Sequence, residues 1–123
     1  VERLLAMQSG CPAGDGLANV DNQGNVHLCP YWQSRTIGNI REKKFNDIWF
    51  DEENEFLAKM RDKTHYIKDK CGRCKLNHLC MGCRVRAEVA NGDPFGEDPA
   101  CYLTEEEIAG EKAWLHDKVL VTR

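Results

Sequence analysis

The sequence holds no apolar run long enough for the hydrophobic segment of a secretory signal or for a membrane span. It also lacks a charge excess: 17 Lys and Arg against 20 Asp and Glu leave a formal charge of −3, too little to steer an acidic or basic partner. There is no internal repeat and no low-complexity tract. Room for a packed core is scarce as well, because 123 residues at 41% hydrophobic content bury only a modest apolar volume, so something besides apolar packing is expected to hold the chain together.

What the chain does have is cysteine. Seven in so short a sequence is far above ordinary usage, and the odd number would leave one thiol over in a disulfide framework. A reduced, cytosolic setting is therefore expected, in which clustered cysteines serve as metal ligands or redox groups. The sequence begins at Val1 and enters the apolar residues Leu4, Leu5 and Met7 at once, which gives the expectation of a segment cut from a longer polypeptide.

Residues 18–29 read as a two-stranded hairpin, with Val20, Val26 and Leu28 flanking an Asn22-Gln23-Gly24 turn. Ile37-Gly38-Asn39-Ile40 reads as a turn-like approach to helix. There Phe45, Ile48, Trp49, Phe56, Leu57 and Met60 are spaced for a buried stripe, with Asp51 as a cap for a second helix. The charged residues 61–70 separate this half from the cysteine-rich centre. Residues 84–90 form a two-turn helix ended by Asn91-Gly92 as a left-handed cap, and Asp93-Pro94 and Asp98-Pro99 punctuate the loop before Cys101. Thr104 and Glu107 make a capping box for a last helix burying Ile108, Trp114, Leu115 and Val119.

Cys71, Cys74, Cys80 and Cys83 place four thiols within thirteen residues. A two-residue gap lets two sulfurs meet one metal centre while the intervening turn directs backbone N–H groups at the sulfurs, which eases the concentration of negative charge. Gly72 and Gly82 supply backbone freedom between them. Four soft thiolates suit one tetrahedral zinc or an iron–sulfur cluster equally. Of the outlying cysteines, Cys11 and Cys29 are each followed by a proline and Cys101 stands two residues after Pro99, and seven dispersed ligands divide as four plus three, one closed centre and one with an open or foreign ligand.

The order of Cys11, Gly24, Cys29, the central block and Cys101 resembles the seven-cysteine signature of SPASM domains, over residues 10–102. Gly38-Asn39-Ile40, Ile48-Trp49, Cys83-Arg84-x-Arg86-Ala87, Gly92-Asp93 and Asp98-Pro99-x-Cys101 strengthen the likeness. SPASM domains are C-terminal extensions of radical S-adenosylmethionine enzymes and bind one or two auxiliary [4Fe-4S] clusters. The resemblance implies a distal cluster on Cys71, Cys74, Cys80 and Cys101 and a proximal cluster on Cys11, Cys29 and Cys83. No cysteine lies within residues 1–10, so the fourth proximal site is open, filled by another residue type, or supplied from elsewhere.

The two-residue gap between Cys80 and Cys83, where many members have three, is similar to the branch that acts on haem precursors. The family's catalytic Cys-x3-Cys-x2-Cys loop is not in this sequence, and its barrel needs about 200 residues or more. The resemblance thus implies an upstream barrel that binds S-adenosylmethionine. This segment would add electron transfer or the positioning of a peptide or tetrapyrrole substrate, and would not cleave the cofactor alone. The expected architecture is a small, loop-rich α+β fold organised around two clusters, residues 1–103 forming the cluster domain and 104–123 a helix packed on it.

Simpler roles stand beside these. The central four cysteines suit a zinc-binding interaction module, with zinc also replacing iron after aerobic preparation, and Cys11 or Cys29 alone suits a small buried hydrophobe. His27 and His78 read as solvated loop residues, and Asp15, Asp93 and Asp98 as turn formers more than oxygen ligands. Arg73, Lys75, Arg84 and Arg86 read as a solvated or charge-balancing face, and Trp32, Trp49 and Trp114 as packing residues. Neither a membrane nor a nucleic acid is an expected partner.

Overall fold

The Asn22-Gln23-Gly24 turn forms where the sequence places it, and Asp21 builds it by accepting the N–H groups of Gln23 at 2.9 Å and Asn25 at 3.0 Å. Gly24 takes φ +87°, and a Cβ there would lie 2.9 Å from the Asn39 side-chain oxygen, so only glycine fits both the turn and its neighbour. The computed structural model describes residues 10–110. They divide into two compact units, one of Pro12–Tyr66 and one of residues 10–11 with 67–110.

In the first unit the turn joins β1 (Asn19–Val20) to β2 (Asn25–His27), and β3 (Gly38–Asn39) pairs antiparallel with the other edge of β2. Val26 faces Val20 on one side and Gly38 on the other. Sequence reading took residues 37–40 for a turn, since two strand residues are too few for a period to show. The third strand forms because the free edge of β2 needs partners for its backbone groups, and Gly38 lets Ile48 come close: an added Cβ would lie 2.8 Å from it.

The single expected stripe is two helices, α1 (Phe45–Trp49) and α2 (Glu55–Arg61), followed by α3 (Lys63–Tyr66). Asn54, not Asp51, caps α2 by accepting the Leu57 N–H at 3.0 Å, while Asp51 accepts from Glu53 in the preceding turn. Ile48, Leu57 and Met60 are buried with Val26, Leu28 and Trp32, and Phe56 meets the Trp32 ring edge-on at 5.4 Å. The charged stretch is more than a separator, because buried Lys63 donates to the Ala13 carbonyl at 3.2 Å. Its aliphatic stem packs inside while the ammonium meets a backbone oxygen that would otherwise lack water.

The second unit contains α4 (Asp69–Arg73), α5 (Asn77–Cys80), α6 (Arg84–Asn91) and α7 (Glu105–Ile108). Gly92 ends α6 at φ 72°, and the Thr104 and Glu107 capping box opens α7. Its continuation through Trp114, Leu115 and Val119, like the apolar Leu4, Leu5 and Met7, lies outside the described residues. Among the described residues apolar burial here is sparse: Ile67, Ala87, Phe95 and Ile108 share the interior with Arg84 and Asp98. Among the described residues no helix is long and apolar enough to cross a membrane.

Candidate metal centre

Cys71 lies within α4, and Cys74 ends it, with φ −70° and ψ 127° turning the chain to extended backbone. Gly72 is required between them, because a Cβ would fall 2.6 Å from the Ile67 carbonyl oxygen. The N–H groups that reach the sulfurs lie outside the two-residue gap and not in the turn within it: the Leu76 N–H points at Cys74 Sγ at 3.4 Å, and the Asp98 N–H reaches Cys71 Sγ at 3.3 Å. Such donors stabilise sulfur in its anionic form.

Cys80 closes α5, after which Met81 and Gly82 both turn left-handed, at φ 59° and 57°. Cys83 then returns to extended backbone as the N-cap of α6, its sulfur accepting from the Arg86 N–H at 3.5 Å. Two successive left-handed residues reverse the chain, so neighbouring cysteines present their sulfurs to different surroundings. Cys71, Cys74, Cys80 and Cys101 line one cavity of about 480 Å³, and Cys83 is not among its walls. Leu76, Leu79, Met81, Leu103 and Ile108 supply apolar lining, and Lys70 and Arg86 contribute the cationic side chains.

Burial pushes the Cys74 thiol up, and Cys101, Cys80 and Cys71 push it further, against the Leu76 N–H. Crowded thiols of this kind surrender their protons when a cation replaces them, which is the donor chemistry of a thiolate metal centre. Among the described residues no three His, Cys, Asp or Glu side chains converge on a single ion position. A roomy cavity, soft donors and N–H groups aimed at sulfur fit a multi-atom iron–sulfur group.

Asp98 holds this arrangement together and does more than form a turn. Its Oδ2 accepts the Cys83 N–H at 2.8 Å, and its Oδ1 accepts the Ala100 N–H at 3.0 Å. Burial pushes its carboxyl up, but Arg86 and these N–H groups overcome that and hold it at about 2; the same pairing raises Arg86. All of this leaves Asp98 engaged as an anchor. Asp93 accepts from Lys68 and from the Phe95 N–H, and Asp15 is exposed.

Cys11 and Cys29 are part-buried free thiols, as are Cys71, Cys74, Cys83 and Cys101, while Cys80 is exposed. Cys11 belongs to the second unit and Cys29 to the first, where its carbonyl accepts from Trp32. His78 is exposed, as expected, but His27 is not a solvated loop residue: it is 1% exposed and bonds Asp21 at 2.9 Å and the Arg35 carbonyl at 2.7 Å. Two acceptors, one on each ring nitrogen, call for the doubly protonated imidazolium. Burial lowers its pKa, yet Asp21 and the Arg35 carbonyl more than offset this, so the net shift is upward.

Of the four basic residues read as one face, Arg73 is exposed and pairs with Glu105 at 3.1 Å, Lys75 is exposed, and Arg86 pairs with Asp98. Arg84 departs from the solvated reading, being fully buried. Helical spacing held the signal: Arg84 lies three residues before buried Ala87 and shares its face.

The family profile for SPASM, described as an iron–sulfur cluster-binding domain, matches residues 11–75. Over 112 residues the chain is 42% identical to Fe-coproporphyrin III synthase of Methanosarcina barkeri, covering 88% of the chain and 28% of that protein. It is 40% identical over 108 residues to pre-heme d1 synthase of Dinoroseobacter shibae, covering 87% and 26%. With AdoMet-dependent heme synthase of M. barkeri identity is 43% over 96 residues, covering 78% and 26%. The chain therefore spans about a quarter of the length of these relatives. No solved structure matches it.

Proposed function

Because the chain belongs to the SPASM family of iron–sulfur cluster-binding domains, we propose that it is the auxiliary-cluster segment of a radical S-adenosylmethionine enzyme acting on a tetrapyrrole. One observation carries the reading: Cys71, Cys74, Cys80 and Cys101 wall a single cavity from which the sequence neighbour Cys83 is absent. That grouping favours a distal [4Fe-4S] cluster on the four, with Cys11, Cys29 and Cys83 left for a proximal one. A peptide substrate is the second possibility within this family; the names of the relatives, all makers of haems or haem precursors, favour the tetrapyrrole.

When bound, such clusters supply one-electron transfer at a potential set by hydrogen bonds to sulfur and by burial. The chain's own part is to hold four sulfurs apart around the cavity, direct the Leu76 and Asp98 N–H groups at them, and line the rest with apolar side chains. S-adenosylmethionine would be bound by a barrel elsewhere in the polypeptide, which with the substrate is the expected partner. A reducing cytoplasm suits seven free thiols.

The test is a set of point substitutions in anaerobically reconstituted protein, read by iron and sulfide content and by Mössbauer spectra. Cys80→Ala is expected to remove the spectral component that Cys101→Ala also removes, while Cys83→Ala removes the one lost with Cys11→Ala. Loss of one shared component in Cys80→Ala and Cys83→Ala, with Cys11→Ala retaining everything, would replace this reading with a single four-thiolate site. Zinc without iron in the anaerobic sample would favour the interaction module instead.

A further inference from the structure

Behind the thiol-lined cavity stands a buried cation with no acid of its own. Arg84 is 0% exposed, and its guanidinium donates to the carbonyls of Pro94 at 3.0 Å and Gly96 at 2.8 Å. A second terminal nitrogen comes 3.8 Å from Cys71 Sγ, and Nε has no hydrogen-bond partner. The nearby carboxylates make their ion pairs elsewhere, Asp98 with Arg86 at two points and Asp93 with Lys68, and Asp93 feels the Arg84 charge without forming an ion pair with it. No ion pair among the described residues includes Arg84.

A guanidinium keeps its charge at any working pH, and a buried charge without a counter-charge is strongly disfavoured. The sulfur it approaches belongs to a set of four thiols that would be anionic as ligands. We infer that Arg84 is the internal counter-cation of the Cys71, Cys74, Cys80 and Cys101 centre and holds its reduction potential up. This rests on the reading that the cavity holds an iron–sulfur cluster.

The physical ground is charge. The reduced state of such a centre carries one more negative charge than the oxidised state, and a fixed cation a few ångströms away, shielded from water, favours the more negative state. Arg73 cannot act in this way, since it is solvent-screened and paired with Glu105, and Asp98 cancels most of the field of Arg86. The loop is also built close over Arg84: a Cβ on Gly82 would stand 2.5 Å from its terminal nitrogen and 3.4 Å from Cys71 Sγ.

The experiment is an EPR-monitored redox titration of the complete polypeptide, reconstituted anaerobically, following the component that Cys101→Ala abolishes. Wild type, Arg84→Lys and Arg84→Gln are compared at equal iron content. Arg84→Gln is expected to lower the reduced-to-oxidised ratio at fixed solution potential about tenfold, equivalent to ~59 mV for a one-electron couple. Arg84→Lys should shift it far less. An unchanged potential in Arg84→Gln overturns the inference. Should Arg84→Gln fail to hold iron while Arg84→Lys holds it, the need for positive charge is upheld. Failure of both variants to fold, seen by circular dichroism, makes Arg84 a scaffold residue and overturns it. Absence of iron and sulfide from the wild type would defeat the cluster reading itself.

Discussion

Arg86 grips Asp98 at two points, Nε to Oδ1 at 3.0 Å and a terminal nitrogen to Oδ2 at 2.8 Å. The fork geometry of the guanidinium matches the carboxylate, and the pair links α6 to the loop that precedes Cys101. Asp98 simultaneously fixes the Cys83 N–H, so one buried carboxylate orders the approach to two cysteines.

Asp98→Ala is expected to destabilise the protein by about 2–3 kcal/mol, because the Cys83 and Ala100 N–H groups and Arg86 all lose their acceptor. Asp98→Asn keeps an oxygen and should cost less. Denaturant titration of the two variants beside wild type checks the order.

Gly82 and Gly92 both take positive φ, at 57° and 72°, but a Cβ meets Arg84, Asp98 and Cys71 at the first and nothing within 4 Å at the second. Gly92→Ala should cost about 1 kcal/mol, the ordinary penalty of a left-handed alanine. Gly82→Ala should cost roughly 2–4 kcal/mol, since crowding adds to the same backbone term. Equal losses in thermal unfolding would mean that the contacts around Gly82 relax freely.

Chelating the metal under anaerobic conditions should loosen residues 71–101 first. Among the described residues their unit buries few apolar side chains, whereas Val26, Leu28, Trp32, Ile48, Leu57 and Met60 give residues 12–66 a core of their own. Metal binding then acts as folding free energy for one unit and much less for the other. Hydrogen exchange before and after chelation reports this directly; uniform protection in both states would show the metal to be peripheral.

His27 and Asp21 set a pH window. His27 is raised above its ordinary 6.5, so its contribution is fully present below that value and is lost as pH rises through the folded pKa. Asp21 is lowered to about 2, mainly by His27, so its contribution is present above 3.8 and is lost as pH falls toward 2. The pair's support should therefore be greatest between these ordinary values, and Asp21→Asn should flatten the pH dependence of thermal unfolding there.

Leu57 is fully buried, and Leu57→Ala is expected to cost about 2–5 kcal/mol by leaving a cavity in the core. Iron content per folded molecule should change less than stability does, because Leu57 lies in the unit that does not contain the central cysteines.

The features legible in the sequence are those whose hydrogen bonds close within a few residues. The Asn22-Gln23-Gly24 turn, the Gly92 cap and the Thr104 and Glu107 box each carry their partners within a turn of chain. Family membership was legible for the same reason, since the spacing of seven cysteines is a linear pattern.

Only the tertiary structure decided what depends on partners far along the chain. The third strand needed the free edge of β2, where Gly38 pairs with Val26 and Asn39 with Asn25, and no period can show in two residues. His27 and Arg84 read as exposed because charge usually is; one is buried by an aspartate and a carbonyl, the other beside a sulfur and two carbonyls. Met81 and Gly82 both turn left-handed between Cys80 and Cys83, with φ values that the spacing of the two cysteines does not encode. Local patterning specifies which groups want partners, and the packed fold alone brings distant groups within reach.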